Sequence, residues 1–262
     1  MPLVAWAMLR RTPFAHWFAV AATPVLIAAQ SPDSLVVEGN QFFVARNAVA
    51  ALAAYDRALA MDSAHYRALT RAASVATEFG EFQSDATQQK ALYARARAYA
   101  ERAVRANPAG AEGHFQLARA VGRAAQSVGV RERVRLATLV HTHAIDALAR
   151  DSLHDGAMHV LGMWHAEIMR LSGFERVIAK AFLGGKVMGE ASWDMAVSYL
   201  ERSVARAPSR IVHRLDLGMV YLDRKRRDDA RTQFEWIAQA PVTDYNDASY
   251  KRLAADALRG IK

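Results

Sequence analysis

The sequence predicts an all-α fold, arranged as a solenoid of helical hairpins, and three observations support this. Hydrophobic residues make up 52% of the 262 positions and charged residues 23%, which excludes intrinsic disorder. Glycine and proline are few, and alanine- and arginine-rich strings such as residues 93–106 favour helix over strand. Small and aromatic residues recur at fixed spacings, which is typical of repeat proteins. The absence of cysteine excludes disulfide frameworks and thiolate metal sites.

Residues 1–29 have the layout of a signal peptide. Arg10 and Arg11 precede an apolar segment at 18–29, which contains no acidic residue and ends in small residues. We therefore predict export to the periplasm or secretion, with cleavage before Gln30. The alternatives are an uncleaved N-terminal membrane anchor and a packed N-terminal helix. The moderately basic remainder carries no aromatic-and-basic motif, so no nucleic-acid partner is predicted.

The first and last repeats share one pattern of small and aromatic residues. The separations are 12, 4 and 3 residues in both: Gly39, Ala51, Tyr55 and Ala58, then Gly218, Ala230, Phe234 and Ile237. A small residue on the first helix of a hairpin lets the second helix approach, and the aromatic residue fills the space beside them. This is a tetratricopeptide-type pattern, so residues 30–262 are predicted to form a single tetratricopeptide-repeat domain.

In the middle repeats, more residues separate the packing residue of the first helix from that of the second helix; we call these two residues the helix landmarks. The gap is 23 from Ala73 to Ala96, 22 from Ala118 to Val140 and 34 from Gly162 to Ala196. Ten or eleven extra residues are about three helical turns, so elongated or inserted helices preserve the helical phase. The predicted repeats lie near 32–65, 66–110, 111–154, 155–210 and 211–243, with a capping helix over 246–260.

The longest insertion, residues 171–192, contains its own helix signals. Ser172 and Glu175 have the spacing of a capping box, and apolar residues then recur with helical period up to Gly184. The predicted amphipathic helix at 174–183 packs on neighbouring repeats or contacts a partner or a membrane.

Three segments resemble the regulator of microtubule dynamics proteins: GHFQLARAVGR at 113–123, HDGAMHVLGMWHAEIMRLSGFERVIAKAFLGG at 154–185 and HRLDLGMVYLDRKRRDDARTQFEWI at 213–237. The most specific part is the L-G-x-W-x-x-E run that contains Gly162 and Trp164. The chain is identified as a bacterial-type member with an N-terminal signal sequence, and the resemblance covers most of residues 35–258. It implies a helical-repeat adaptor without catalytic residues, and association with microtubules and membranes as in eukaryotic members.

Counting along the first helix of each repeat predicts which residues line the concave groove. They are Asn40, Phe43, Arg67, Phe115, Arg119, Arg123, His159, Met163, Glu167 and Met219, together with Thr70 and Asp223. Arg119 and Arg123 lie one turn apart and are expected to bind a carboxylate of a ligand, while Phe115 and Met163 offer apolar contacts.

Nine histidines raise the possibility of a metal site, but their spacing argues against one. His141 and His143 differ by about 200° on a helix, as two ligands from one helix rarely do. No catalytic residue, metal site or cofactor is therefore predicted. The expected function is a non-catalytic scaffold that holds a peptide or partner surface in its concave face. A membrane-anchored tether, contacting the bilayer through 17–29 or 174–183, is the alternative, and a histidine-based metal enzyme is a remote one.

Overall fold

A computed structural model describes residues 30–173, 175, 177 and 189–261. Within these residues all regular secondary structure is helical, and there are no strands. The helices are α1 Pro32–Val44, α2 Ala48–Met61, α3 Tyr66–Glu81, α4 Ala86–Ala106, α5 Ala111–Ala125, α6 Val130–Arg150, α7 Asp155–Arg170, α8 Trp193–Arg206, α9 Ile211–Asp223, α10 Arg227–Gln239 and α11 Asp247–Gly260.

Consecutive helices pack as five antiparallel hairpins, α1 with α2 through α9 with α10, and α11 covers the end of the last hairpin. The first helices of successive hairpins also contact one another, as α3 does with both α1 and α5. This is the helical-hairpin solenoid with a C-terminal capping helix, and the predicted fold class is confirmed.

Close approach within the hairpins depends on the glycines of the repeat pattern. A Cβ atom on Gly39 would lie 2.4 Å from Cε1 of Tyr55, and one on Gly218 would lie 2.5 Å from Cε1 of Phe234. Both rings are buried, and real Cβ atoms do not approach other carbon atoms so closely. The shared spacing of the first and last repeats therefore reflects shared packing.

The extra residues of the second and third repeats lengthen their second helices. Helices α4 and α6 have 21 residues each, whereas α1 has 13 and α3 has 16. The difference between α4 and α2, which has 14 residues, is about two turns. The prediction of elongated helices is thus confirmed in these two hairpins.

The C-terminal part of the chain folds back on the first two repeats, which the pattern of repeats does not predict. We call residues 244–250 the closing segment. It contacts the first repeat through Arg46 Nη1, which donates to the Asp244 carbonyl at 2.6 Å, and through Phe43, which stacks on Tyr245 at 5.0 Å. It contacts the second repeat through Asn246 Nδ2, which donates to the Glu78 carbonyl at 2.9 Å, and Tyr250 Oη, which donates to Glu81 Oε2 at 2.7 Å. These contacts close the concave side of the solenoid between its first and last repeats.

Two of the sequence predictions concern residues outside the described part of the chain. The signal peptide or anchor at 1–29 lies there, and so does nearly all of the helix at 174–183. The start of that helix is described: Ser172 N–H donates to Glu175 Oε2 at 3.0 Å, and the Glu175 N–H donates to Ser172 Oγ at 3.3 Å. Ser172 and Glu175 therefore form the capping box. None of the described helices has the length and hydropathy needed to cross a bilayer.

Candidate functional site

A cavity with a volume of about 500 Å³ lies on the concave side, between the first helices of the repeats and the closing segment. Six of the ten predicted groove residues line it: Phe115, Arg119, Arg123, His159, Met163 and Glu167. They come from α5 and α7 alone. Residues of α3, α6 and α9 and the closing segment complete the walls.

The predicted groove residues of the first repeat are engaged elsewhere. Asn40 Oδ1 accepts hydrogen bonds from Tyr55 Oη at 2.9 Å and from Arg71 Nε at 2.8 Å. Phe43 is covered by Tyr245 of the closing segment. The first repeat therefore contributes to closure rather than to the cavity lining.

The remaining predicted residues also lie away from the cavity lining. Arg67 forms an exposed ion pair with Asp33 at 3.0 Å. Thr70 is buried, and its hydroxyl donates to the backbone of its own helix. Met219 is 40% exposed on α9, and Asp223 pairs with an arginine of α7.

Both predicted carboxylate-binding arginines already hold carboxylates of this chain. Arg119 Nη1 lies 3.1 Å from Glu78 Oε1, and Arg123 Nη2 lies 2.6 Å from Glu81 Oε1. Burial lowers the pKa of Arg123, but the nearby Glu81 charge outweighs it and leaves the pKa above its usual value. A ligand carboxylate would have to displace these α3 partners, so the arginines act first as links between α3 and α5.

Histidine and aspartate side chains link α7 to α9 on the opposite wall. His159 Nε2 lies 2.7 Å from Asp216 Oδ2, and His213 Nε2 lies 2.9 Å from Asp155 Oδ2. Burial lowers the pKa of His213 to about 4, although the Asp155 hydrogen bond opposes this. His213 is therefore neutral at pH 7 and donates its Nε2–H to the carboxylate. Burial raises the pKa of Asp155, but the hydrogen bond from His213 and the positive charge of Arg210 hold it well below the usual range.

The third wall of the cavity is apolar. Val134 of α6 lies on it, together with Val160, Met163 and Trp164 of α7. The Trp164 indole N–H donates to the Ala137 carbonyl at 2.9 Å, so the polar atom of this side chain is satisfied within the fold. A ligand in the cavity therefore meets an apolar wall on one side and internally paired charges on the other.

A second cavity of about 490 Å³ adjoins the first. Phe115, Arg119 and Arg210 line both cavities and so lie between them. The walls of the second cavity are more polar and include Glu112 and His154, which are 3.2 Å apart. Sequence counting identified Phe115 and Arg119 of this lining but missed Glu112 and His154, which lie at the starts of α5 and α7.

Most of the histidines considered as metal ligands have other contacts. His141 lies against Trp164 with ring centroids 4.4 Å apart, and His165 stacks on Tyr199 at 5.7 Å. His154 accepts the Ala157 N–H at the start of α7. Within the described residues, one group of histidine and acidic side chains converges closely enough to hold an ion, and it contains His143.

The chain is similar to several solved structures. The thermophilic tetratricopeptide-repeat protein of Thermus thermophilus is 19% identical with a TM-score of 0.63, and the match covers 87% of this chain and 100% of that one. YrrB, described as a tetratricopeptide-repeat protein with an unusual peptide-binding site, is 17% identical with a TM-score of 0.43, covering 86% and 91% of the two chains. MamA is 16% identical with a TM-score of 0.44, covering 85% and 95%.

Comparison with curated protein sequences gives no match. The family model for regulator of microtubule dynamics protein 1-3 matches residues 38–262, which is most of the chain. The match extends from α1 through the closing segment and α11, so it includes every wall of the cavity. The chain therefore belongs to the regulator of microtubule dynamics protein 1-3 family.

Proposed function

We propose that the protein is a non-catalytic scaffold that binds a short segment of a partner protein in the concave-side cavity. The observation that carries the proposal is the convergence of α5, α7 and α9 side chains on one cavity of about 500 Å³. Sites of about 300 to 1,000 Å³ bury compact ligands. This volume suits a few side chains of a partner segment, and a long helix does not fit.

The apolar wall is the anchor in this proposal. Val160, Met163 and Trp164 offer a surface that gains free energy by excluding water when an apolar side chain covers it. Glu167 is exposed at the rim; its Oε1 accepts a hydrogen bond from Arg170 Nη1 at 2.5 Å, and we place its Oε2 against a backbone N–H group of the segment. Because Arg119 and Arg123 already hold carboxylates, we place recognition on the apolar wall rather than on an acidic ligand residue.

Two methionine variants test the proposal. Met163→Glu places a charge on the apolar wall, whereas Met219→Glu places the same charge on α9 outside the cavity. A full-length chain with a C-terminal tag is crosslinked in its native host, and captured proteins are identified by mass spectrometry. We expect a partner that is captured by the wild type and by Met219→Glu and is lost with Met163→Glu.

Equal capture by the two variants would contradict the cavity as the binding site. Far-ultraviolet circular dichroism of both variants shows whether a loss of capture reflects misfolding. Charge reversal at Arg119 and Arg123 is a poorer test, because it sets new carboxylates against Glu78 and Glu81 and so disrupts the fold itself.

We further propose that the protein acts after export, with residues 1–29 removed. The intact mass of the native chain tests this: a mass that starts near Gln30 supports export, and an intact N-terminus supports the membrane tether. The family description names microtubule dynamics, and the match over 38–262 makes this the second candidate function. Co-sedimentation of the purified chain with polymerised tubulin tests it, and a chain that stays in the supernatant excludes direct binding.

A further inference from the structure

Three side chains with metal-ligating atoms meet where α5 packs against α6. His114 Nδ1 lies 3.0 Å from His143 Nδ1 and 3.7 Å from Asp146 Oδ2. One ligand atom from each of the three residues lies within 4.8 Å of the others. We propose that His114, His143 and Asp146 bind a divalent transition-metal ion of the Zn²⁺ type. The proposal assigns a binding site and no reaction, and it does not depend on the proposed function.

The hydrogen bonds of His114 determine which of its nitrogens is free. Its Nε2 lies 3.1 Å from the Pro108 carbonyl oxygen. A carbonyl oxygen only accepts, so Nε2 carries the proton and the Nδ1 lone pair points toward His143 and Asp146. Metal-bound histidines usually donate their other ring N–H to a carbonyl or carboxylate in this way, which fixes the ring for coordination.

The carboxylate of Asp146 is also oriented for coordination. Its Oδ1 accepts from Arg150 Nη1 at 3.0 Å, and Arg150 Nε donates to the Pro108 carbonyl at 2.7 Å. Arg150 therefore ties the aspartate to the same carbonyl that holds His114. Asp146 Oδ2 remains directed toward His114.

The spacing of the three side chains is close to what a tetrahedral ion requires. Zn²⁺ binds nitrogen and oxygen ligands at about 2.0 to 2.2 Å, which places neighbouring ligand atoms of a tetrahedral site about 3.3 to 3.6 Å apart. The two separations from His114 Nδ1, 3.0 and 3.7 Å, differ from this by a few tenths of an ångström, and the third pair of ligand atoms lies within 4.8 Å, so side-chain rotations bring the three atoms into place. Two imidazoles favour Zn²⁺, Co²⁺ or Ni²⁺ over Mg²⁺ and Ca²⁺.

Three protein ligands leave a fourth position for water. Asp146 is 37% exposed while His114 is 6% exposed, so the open position faces solvent beside the aspartate. The ion would join α5 to α6 and, through the Pro108 carbonyl, to the turn before α5. His143 and Asp146 lie three residues apart on one face of α6, and only the packing of the hairpin brings His114 to them.

The alternative for these contacts is a hydrogen bond from His143 Nδ1–H to His114 Nδ1 without any ion. Titration of the full chain, purified without a histidine tag and stripped with a chelator, distinguishes the two. We expect one Zn²⁺ per chain by isothermal titration calorimetry, and tetrahedral visible absorption when Co²⁺ is added. His143→Gln removes one of the three ligands. Replacing a residue that only hydrogen-bonds to a metal ligand can already weaken binding about 100-fold, so we expect His143→Gln to weaken Zn²⁺ binding by at least on the order of 100-fold.

Asp146→Asn is the second variant, because this side chain is partly exposed and its replacement leaves the core intact. His65→Asn is the matched control: His65 lies 3.5 Å from Asp33, and asparagine keeps the cap that His65 Nδ1 provides to α3. Unchanged binding in this control, with loss in His143→Gln and Asp146→Asn, supports the site. Absence of stoichiometric Zn²⁺ binding, or equal affinity in all four proteins, would overturn it.

Discussion

Replacement of Gly218 by alanine tests the helix packing that defines the repeats. The new Cβ would lie 2.5 Å from Phe234 Cε1 and 2.8 Å from its Cζ, which is about 1 Å inside normal contact. Phe234 is 1% exposed, so its ring cannot move into solvent and α9 must separate from α10. Such overpacking costs about 3 kcal/mol, and the higher helix propensity of alanine returns about 1 kcal/mol. We therefore expect Gly218→Ala to lower the free energy of unfolding by about 2 kcal/mol.

Gly122→Ala is the matched control, because Gly122, like Gly218, lies on the first helix of a hairpin. A Cβ at Gly122 would meet Val140 Cγ2 at 3.7 Å, an ordinary contact, so only the gain in helix propensity remains. Urea and thermal unfolding, followed by circular dichroism, measure both variants. For a chain of this length we expect a Tm about 4 to 8 °C lower for Gly218→Ala and about 2 to 4 °C higher for Gly122→Ala.

A double variant identifies the ring as the cause. Phe234→Leu should cost less stability in the Gly218→Ala background than in the wild type, because the smaller side chain relieves the overlap. If Gly218→Ala were as stable as Gly122→Ala, or if the two substitutions at the α9–α10 contact were additive, the close-packing argument would be refuted.

Three further predictions concern pH, closure and a buried hydrogen bond. Lowering the pH from about 6.5 to 4 should destabilise the fold, because burial lowers the pKa of His165 and of His213 to about 4 and the unfolded chain then takes up protons that the folded chain does not. The loss should reach about 2.5 kcal/mol per histidine near pH 4.5. A flat stability profile across this range would contradict it. Tyr245→Ala removes the ring stacked on Phe43 at 5.0 Å. We expect it to lower the free energy of unfolding by about 1 to 2 kcal/mol and to speed hydrogen exchange in α11. Unchanged exchange in α11 would show that closure does not depend on this contact. Trp164→Phe removes the indole N–H bonded to a backbone carbonyl of α6 at 2.9 Å, which should cost about 1 kcal/mol in thermal unfolding, and an unchanged Tm would mean that another donor satisfies the carbonyl.

The sequence predicts those features that depend on contacts within one hairpin. Gly218 and Phe234 are 16 positions apart, and the same separation between Gly39 and Tyr55 in the first repeat identifies both pairs from the residue spacing alone. The lengths of α4 and α6 follow in the same way from the gap between their landmarks. Helical period fixes which face of a helix is buried, so these inferences need no knowledge of distant residues.

The partners of the predicted groove residues were not predictable in this way. Counting along α5 places Arg119 and Arg123 on the concave side, but it does not reveal that α3 presents Glu78 and Glu81 to them. Opposite charges on neighbouring repeats can pair in many combinations, and the packing angle between α3 and α5 determines which pairs form. The signal that the sequence did contain is the pair of acidic residues three positions apart on α3.

If the cavity binds a partner segment as proposed, closure of the concave side determines how that segment would enter it. Asn246 reaches Glu78 across 168 positions, and no periodicity in a repeat sequence reports a contact between its first and last parts. The closing segment lines the cavity through Asn246 and Tyr250, so its position sets the volume available to a ligand. A partner segment that had to displace Tyr250 from Glu81 would bind more weakly, because the free energy of that hydrogen bond would be lost. A segment that fits beside Tyr250 would not lose this free energy. In the proposed function, the closing segment would therefore select ligands by size, whereas the apolar wall of α7 would select them by hydrophobicity.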